Sequence, residues 1–160
     1  MSDQYRPLKD AFGRFATGVA IASCIDRSGS GAAITVNSFA SVSLDPPLVS
    51  WCLEESASTY AKFMDAEHFA ISVLLADQRA LSDHFAQFPV KEPGPSEFES
   101  WITGAPVLKR QLAAFDCRVC DRVKAGDHVI LIGEVVKFDS SDGDPLIYFA
   151  SGYQTRTKLT

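Results

Sequence analysis

The sequence predicts a mainly β fold, a closed antiparallel barrel carrying a few short helices. Two observations predict it. About seven extended segments stand against two or three short helical ones, and strand and helix alternate only briefly, which disfavours a doubly wound parallel sheet. The 160 residues suit one domain, 1–160, and 46% hydrophobic with 22% charged residues supports a substantial core.

Pro7 to Phe15 opens the chain as a short amphipathic helix, with Leu8, Phe12 and Phe15 at helical spacing and a proline suited to the first turn. Val19 to Ile25 is a strand, Asp26 to Gly31 its turn, and Ala32 to Val36 the return, together a hairpin. Val42 to Leu44 and Leu48 to Leu53 are extended on either side of Asp45-Pro46-Pro47, where two prolines forbid helix. Ser58 to Met64 forms a short helix capped by Ser58, Phe69 to Leu75 a buried strand, and Asp77 opens another helix. Gln87 to Gly104 is a proline-rich polar loop, a lid or a dimer arm. Alternation from Ala113 to Val119, the turn Lys124 to Asp127, and Val129 to Val135 give a long antiparallel hairpin, and Pro145 to Ala150 adds a last strand.

Several function classes lose their basis. A formal charge of −5 with scattered basic residues does not support nucleic-acid binding. No apolar stretch is long enough to cross a bilayer, and Met1 to Arg6 lacks an export signal, so a cytoplasmic location is expected. Cys117 and Cys120 form a single C-x-x-C without further ligands, and the thiols are expected to be free and buried or half-buried. His68, His84 and His128 stand far apart in no metal-binding spacing, and no G-x-G-x-x-G, P-loop or G-x-S-x-G motif is present.

Two constellations remain. Thr35-Val36-Asn37-Ser38-Phe39-Ala40-Ser41 gathers small, hydroxyl and amide side chains at a strand end, where a planar heterocycle could approach the backbone and Phe39 cover an apolar face. Such residues serve equally to solvate a turn. Ser56-Ala57-Ser58-Thr59 with Lys62 one turn later could seat a phosphate, or be a plain helix start with a solvated lysine behind Glu54 and Glu55. His128, just past a turn, could project from a rim toward a ligand, and His84 could simply cap a helix.

Phe12-Gly13-Arg14-Phe15-Ala16-Thr17-Gly18-Val19, Thr35 through Val49, Phe69 to Leu74, Leu81 to Ala86, Gly126-Asp127-His128 and Pro145 to Phe149 occur in an order and spacing that resembles the flavin reductase family of two-component flavin-dependent monooxygenases. The resemblance implies a homodimeric split barrel that binds FMN or FAD, oxidises NADH or NADPH, and supplies reduced flavin to a separate monooxygenase. It implies that Thr35, Val36, Asn37, Ser38, Ala40 and Ser41 hold the isoalloxazine and ribityl chain, with Cys52 nearby. Ser56, Ser58, Thr59 and Lys62 would take the phosphate, with Lys62 the one plausible cation there. His84 and Phe85 would complete the pocket, and His128, with Tyr153, would meet the nicotinamide. A flavin-binding or electron-carrier module without turnover, or a reductase of metal complexes, is the alternative on the same fold.

Overall fold

A computed structural model describes residues 3–88 and 92–154. In chain order the elements are α1 (Arg6–Phe12), β1 (Thr17–Gly18), β2 (Ala20–Ile25), β3 (Gly31–Val36), β4 (Ala40–Leu44), β5 (Pro47–Glu54), α2 (Tyr60–Asp65), β6 (His68–Val73), α3 (Arg79–Gln87), β7 (Phe98–Ser100), β8 (Pro106–Leu108), β9 (Ala113–Ala125), β10 (His128–Ser140), β11 (Ile147–Phe149) and β12 (Gly152–Gln154). Seven of them make one antiparallel sheet in the order β3-β2-β6-β9-β10-β5-β4, and β1-β11-β12 and β7-β8 make two small ones.

The expected closed barrel is not observed, because among the described residues β3 and β4 are the two edges of the large sheet and do not pair with each other. Yet only Asn37, Ser38 and Phe39 join them. Four Cα steps of about 3.5 Å hold Val36 and Ala40 within roughly 14 Å, so the sheet must curl until its edges nearly meet. The link is drawn onto neighbouring strands instead of letting the edges zip: Ser38 is hydrogen-bonded to the Cys52 backbone in β5, and Phe39 stacks on Phe115 of β9.

Two faces of the curled sheet are covered, which is why β2 reads as an unbroken run of small and apolar residues. Inside, Ala20, Ala22 and Cys24 join Trp51, Phe63, Phe69 and Leu131 in the main core, with Trp51 edge-on to Phe63 and to Phe69. Outside, Ile21 and Ala33 pack under Phe85 of α3, while Ala70 and Ala114 pack under Ala105 and Val107. Gly133 lets the Phe69 ring approach β10, since a Cβ there would lie 2.5 Å from the ring, and the β9–β10 register shifts at that point.

Several local expectations are corrected. The first helix stops at Phe12, so Phe15 lies beyond it and α1 contributes no buried residue. Ser58 does not cap α2: the helix begins at Tyr60, whose N–H bonds back to the Ala57 carbonyl, a backbone turn that replaces a side-chain cap. Asp77 does not open α3 either, because its carboxylate is taken by Arg110 at 2.9 and 2.7 Å and the helix starts at Arg79. The strand β6 ends at Val73 rather than Leu75.

The 87–104 segment is also not a plain loop. Residues 89–91 lie outside the described residues, but Phe98–Ser100 pairs with Pro106–Leu108 and the hairpin is fastened to the sheet. Buried Asp116 accepts from the Thr103 N–H at 2.9 Å and from its hydroxyl, and Ser23 donates to the Pro106 carbonyl. Three-residue strands amid prolines carry too short a pattern to be read in sequence. Cys120 is exposed, against the expectation of buried or half-buried thiols throughout, because it sits at the bulge in β9 beyond the core, whereas Cys24 and Cys117 are buried and Cys52 half-buried.

Candidate functional site

A cleft of about 470 Å³ opens where the large sheet fails to close. It is lined by the short β1 strand with Ala16, Thr17 and Gly18 and by the β3–β4 link with Val36, Asn37, Ser38 and Ala40. Val19, Ala20 and Val73 line it further, Phe39 contributes a ring already stacked on Phe115 at 5.2 Å, and Phe15 stands beside it 79% exposed. Small residues keep the walls apart: a Cβ added at Gly18 would meet nothing within 4 Å. A flat, largely apolar ring with a few polar edge groups fits such walls.

Of the residues expected to hold a flavin ring, Val36, Asn37, Ser38 and Ala40 are brought together here. Ser41 lies next along the exposed edge strand β4. Thr35 points elsewhere, its hydroxyl donating to the Ser82 carbonyl of α3 at 2.7 Å. Cys52 is tied to the cleft through its backbone, whose N–H donates to the Ser38 hydroxyl at 2.9 Å while Ser38 donates to its carbonyl at 3.3 Å.

The group at the start of α2 has a different character. The Ser56 hydroxyl donates to Glu54 at 2.7 Å, Ser58 is exposed, and Thr59 is wholly buried. The Lys62 ammonium donates to the Ser30 hydroxyl at 2.6 Å and to the Gly31 carbonyl at 2.8 Å, so it pins α2 to the β2–β3 turn. Lys124 approaches Glu55 at 3.1 Å.

A third cluster forms on α3. The Ser82 and Tyr153 hydroxyls lie 2.8 Å apart, the Arg79 guanidinium sits 5.0 Å over the Tyr153 ring, and partial burial raises the Tyr153 phenol above its ordinary value. Phe85 is buried edge-on against Phe98. Tyr153 pairs across β11–β12 with Tyr148, which in turn faces Thr17 across β1–β11, so Tyr153 is one strand pair removed from the cleft wall. His84 is not at this cleft: it lines a separate depression of about 640 Å³ with Lys109 and Arg110 on the other side of α3.

His128 starts β10 opposite Glu54, two positions along from the Ile130–Cys52 pair. Asp127 accepts from its Nδ1–H at 2.7 Å, which fixes the ring's orientation and holds the Asp127 carboxyl below the ordinary carboxylate range. Phe15, Thr17 and Gly18 were not foreseen as site residues, although they belong to the Phe12 to Val19 segment that carries the resemblance. Among the described residues no three metal-ligating side chains cluster, and no helix is long and apolar enough to cross a membrane.

A family model described as "Flavin reductase like domain" matches residues 12–157. The chain is 42% identical over 148 residues to FMN reductase (NADH) SmoA of Agrobacterium fabrum, covering 92% of this chain and 84% of that protein. It is 38% identical over 161 residues to the reductase component of the flavin-dependent trigonelline monooxygenase of Acinetobacter baylyi, covering 98% of this chain and 50% of the other. The chain thus spans about half the length of two of the curated relatives it matches. It superposes on Streptomyces globisporus C-1027 NADH:FAD oxidoreductase SgcE6, solved with NAD and FAD fragments, with a TM-score of 0.90 at 27% identity, covering 99% of this chain and 96% of that one.

Proposed function

We propose that this chain, which belongs to the flavin reductase like domain family, moves hydride from NADH or NADPH to FMN or FAD and releases the reduced flavin to a separate monooxygenase. The observation that carries the reading is the small-walled cleft at the split of the sheet, built from the segments that carry the family resemblance. SmoA and the trigonelline component, similar over nearly all of this chain, are named for this activity and this arrangement.

When bound, the flavin supplies the hydride-accepting ring, and the nicotinamide supplies the hydride. The protein's part is positioning. Val36, Ala40 and Gly18 leave room for the ring, Asn37 offers an amide to its polar edge, and Phe39 closes an apolar side. His128, oriented by Asp127, is the rim group we assign to the nicotinamide. With Lys62 and Lys124 both engaged within the protein, a flavin phosphate finds no unspent ammonium at α2 among the described residues, which favours release over retention.

The same surface supports a homodimer. Leu8 and Phe12 of α1, Phe15 beside the cleft, and Val42 and Leu44 of β4 are exposed, Leu44 to 95%. A second copy covering them would also wall the cleft, and light scattering at micromolar concentration tests it. A cytoplasmic location accords with a reaction that draws on the soluble nicotinamide pool.

The deciding experiment follows NADH and NADPH oxidation by the purified protein with and without added FMN, FAD and riboflavin. Oxidation that depends on added flavin is the expected result. Flavin binding without oxidation under any combination would make the chain a carrier instead.

A further inference from the structure

Three buried side-chain polar atoms among the described residues lack a hydrogen-bond partner: Trp51 Nε1, Thr59 Oγ1 and Thr17 Oγ1. Trp51 is locked in the core between Phe63 and Phe69, and Thr59 is fully buried beneath α2. Thr17 differs, because it lines the open cleft. A buried hydroxyl with no partner weakens a fold, and it persists where something else makes use of it.

The local sequence sharpens the point. Thr17 lies in a strand paired with β11, where valine has the same shape and at least as strong a strand preference. The hydroxyl is all that threonine adds. The cleft's other polar side chains are Asn37 and Ser38, and Ser38 is already committed to the Cys52 backbone. Asn37 and Thr17 are therefore its two unspent polar side chains. With no bond holding the Thr17 hydroxyl, rotation about χ1 between staggered wells can turn it from the wall toward the cleft.

We infer that Thr17 is a flavin-binding residue whose hydroxyl donates to a carbonyl on the ring edge, in the cleft it shares with Asn37. This rests on the flavin reading above. Thr17→Val keeps the shape and removes the hydroxyl, and Thr17→Ser keeps the hydroxyl. Thermal unfolding without flavin, and quenching of riboflavin and FMN fluorescence on binding, are measured for both variants and the parent.

Thr17→Val should unfold about 2–4 °C higher without flavin, because an unsatisfied group is gone. The same variant should bind riboflavin and FMN alike roughly 5- to 10-fold more weakly. Thr17→Ser should bind within about 2-fold of the parent, a range below the effect of one lost hydrogen bond. Unchanged flavin affinity in Thr17→Val overturns the inference, as does a loss of stability or folding in Thr17→Val that Thr17→Ser does not share, which would assign the hydroxyl an internal structural role. A parent protein that binds no flavin would instead remove the flavin reading itself.

Discussion

The cleft at the sheet's split and the start of α2 are built from the same kinds of residue, small, hydroxylated and amide-bearing, but the fold treats them oppositely. At α2, Ser56 is spent on Glu54, Lys62 on Ser30 and Gly31, and Lys124 on Glu55, while the unpartnered Thr59 hydroxyl there is wholly buried. At the cleft, Asn37 and Thr17 keep their hydrogen-bonding capacity and the walls stand open. Residue type nominates a binding site, but unspent polar groups beside free volume make one.

Filling the cleft should have the largest effect. Gly18→Val places a strand-compatible side chain where no atom lies within 4 Å, so unfolding temperature should hold. Flavin affinity should fall roughly 10- to 100-fold, the equivalent of an overpacking cost of about 1–3 kcal/mol. Flavin titration that finds parent-like affinity would move the site away from β1.

Ser38→Ala comes next, because it strips the cleft wall of its hold on β5 and leaves the Cys52 N–H without its partner. A loss of about 1–3 kcal/mol is expected from denaturant unfolding, with a raised flavin KM. No change in either would mean that the link is held by Phe39 alone.

Lys62→Met tests the other region. If the ammonium serves chiefly to fasten α2, stability should drop by about 0.5–1.5 kcal/mol and the preference for FMN over riboflavin should shift less than about 3-fold. A selective loss of FMN affinity of tenfold or more would restore a phosphate role to Lys62.

The smallest effect concerns buried and exposed thiols. Burial pushes the Cys24 thiol to about 12 and raises Cys117 as well, while Cys120 is exposed. At pH 8 an alkylating reagent should therefore label Cys120 first, and Cys24 and Cys117 only on unfolding. The native Cys24 keeps its proton between its ordinary value of 9.0 and about 12, where the unfolded chain has lost it, so stability should fall as pH rises through that window. Protection of half-buried Cys52 by added flavin would tie it to the cleft.

The strands were legible wherever apolar runs were long or alternating, as in β2, β5 and the β9–β10 hairpin, where side-chain period and Gly126 in its positive-φ turn agree. The β7–β8 hairpin was not, because three residues set no period. In the site, Val36 to Ala40 was marked out by composition and by family resemblance. Thr17 and Gly18 were hidden in a two-residue strand whose importance comes from what it faces.

Chain order and residue pattern were enough to establish a mainly β chain, the segments that form its strands, and the family to which it belongs, since these depend on local periodicity and on motifs read along the backbone. Whether the sheet would close, which hydroxyls would be spent and which left over, and that β1 would line one cleft with Asn37 depended on contacts between residues distant in sequence. Hydrogen bonds such as Lys62 to Gly31 or Ser38 to Cys52 come into being only when the sheet curls, so no reading along the chain could assign them.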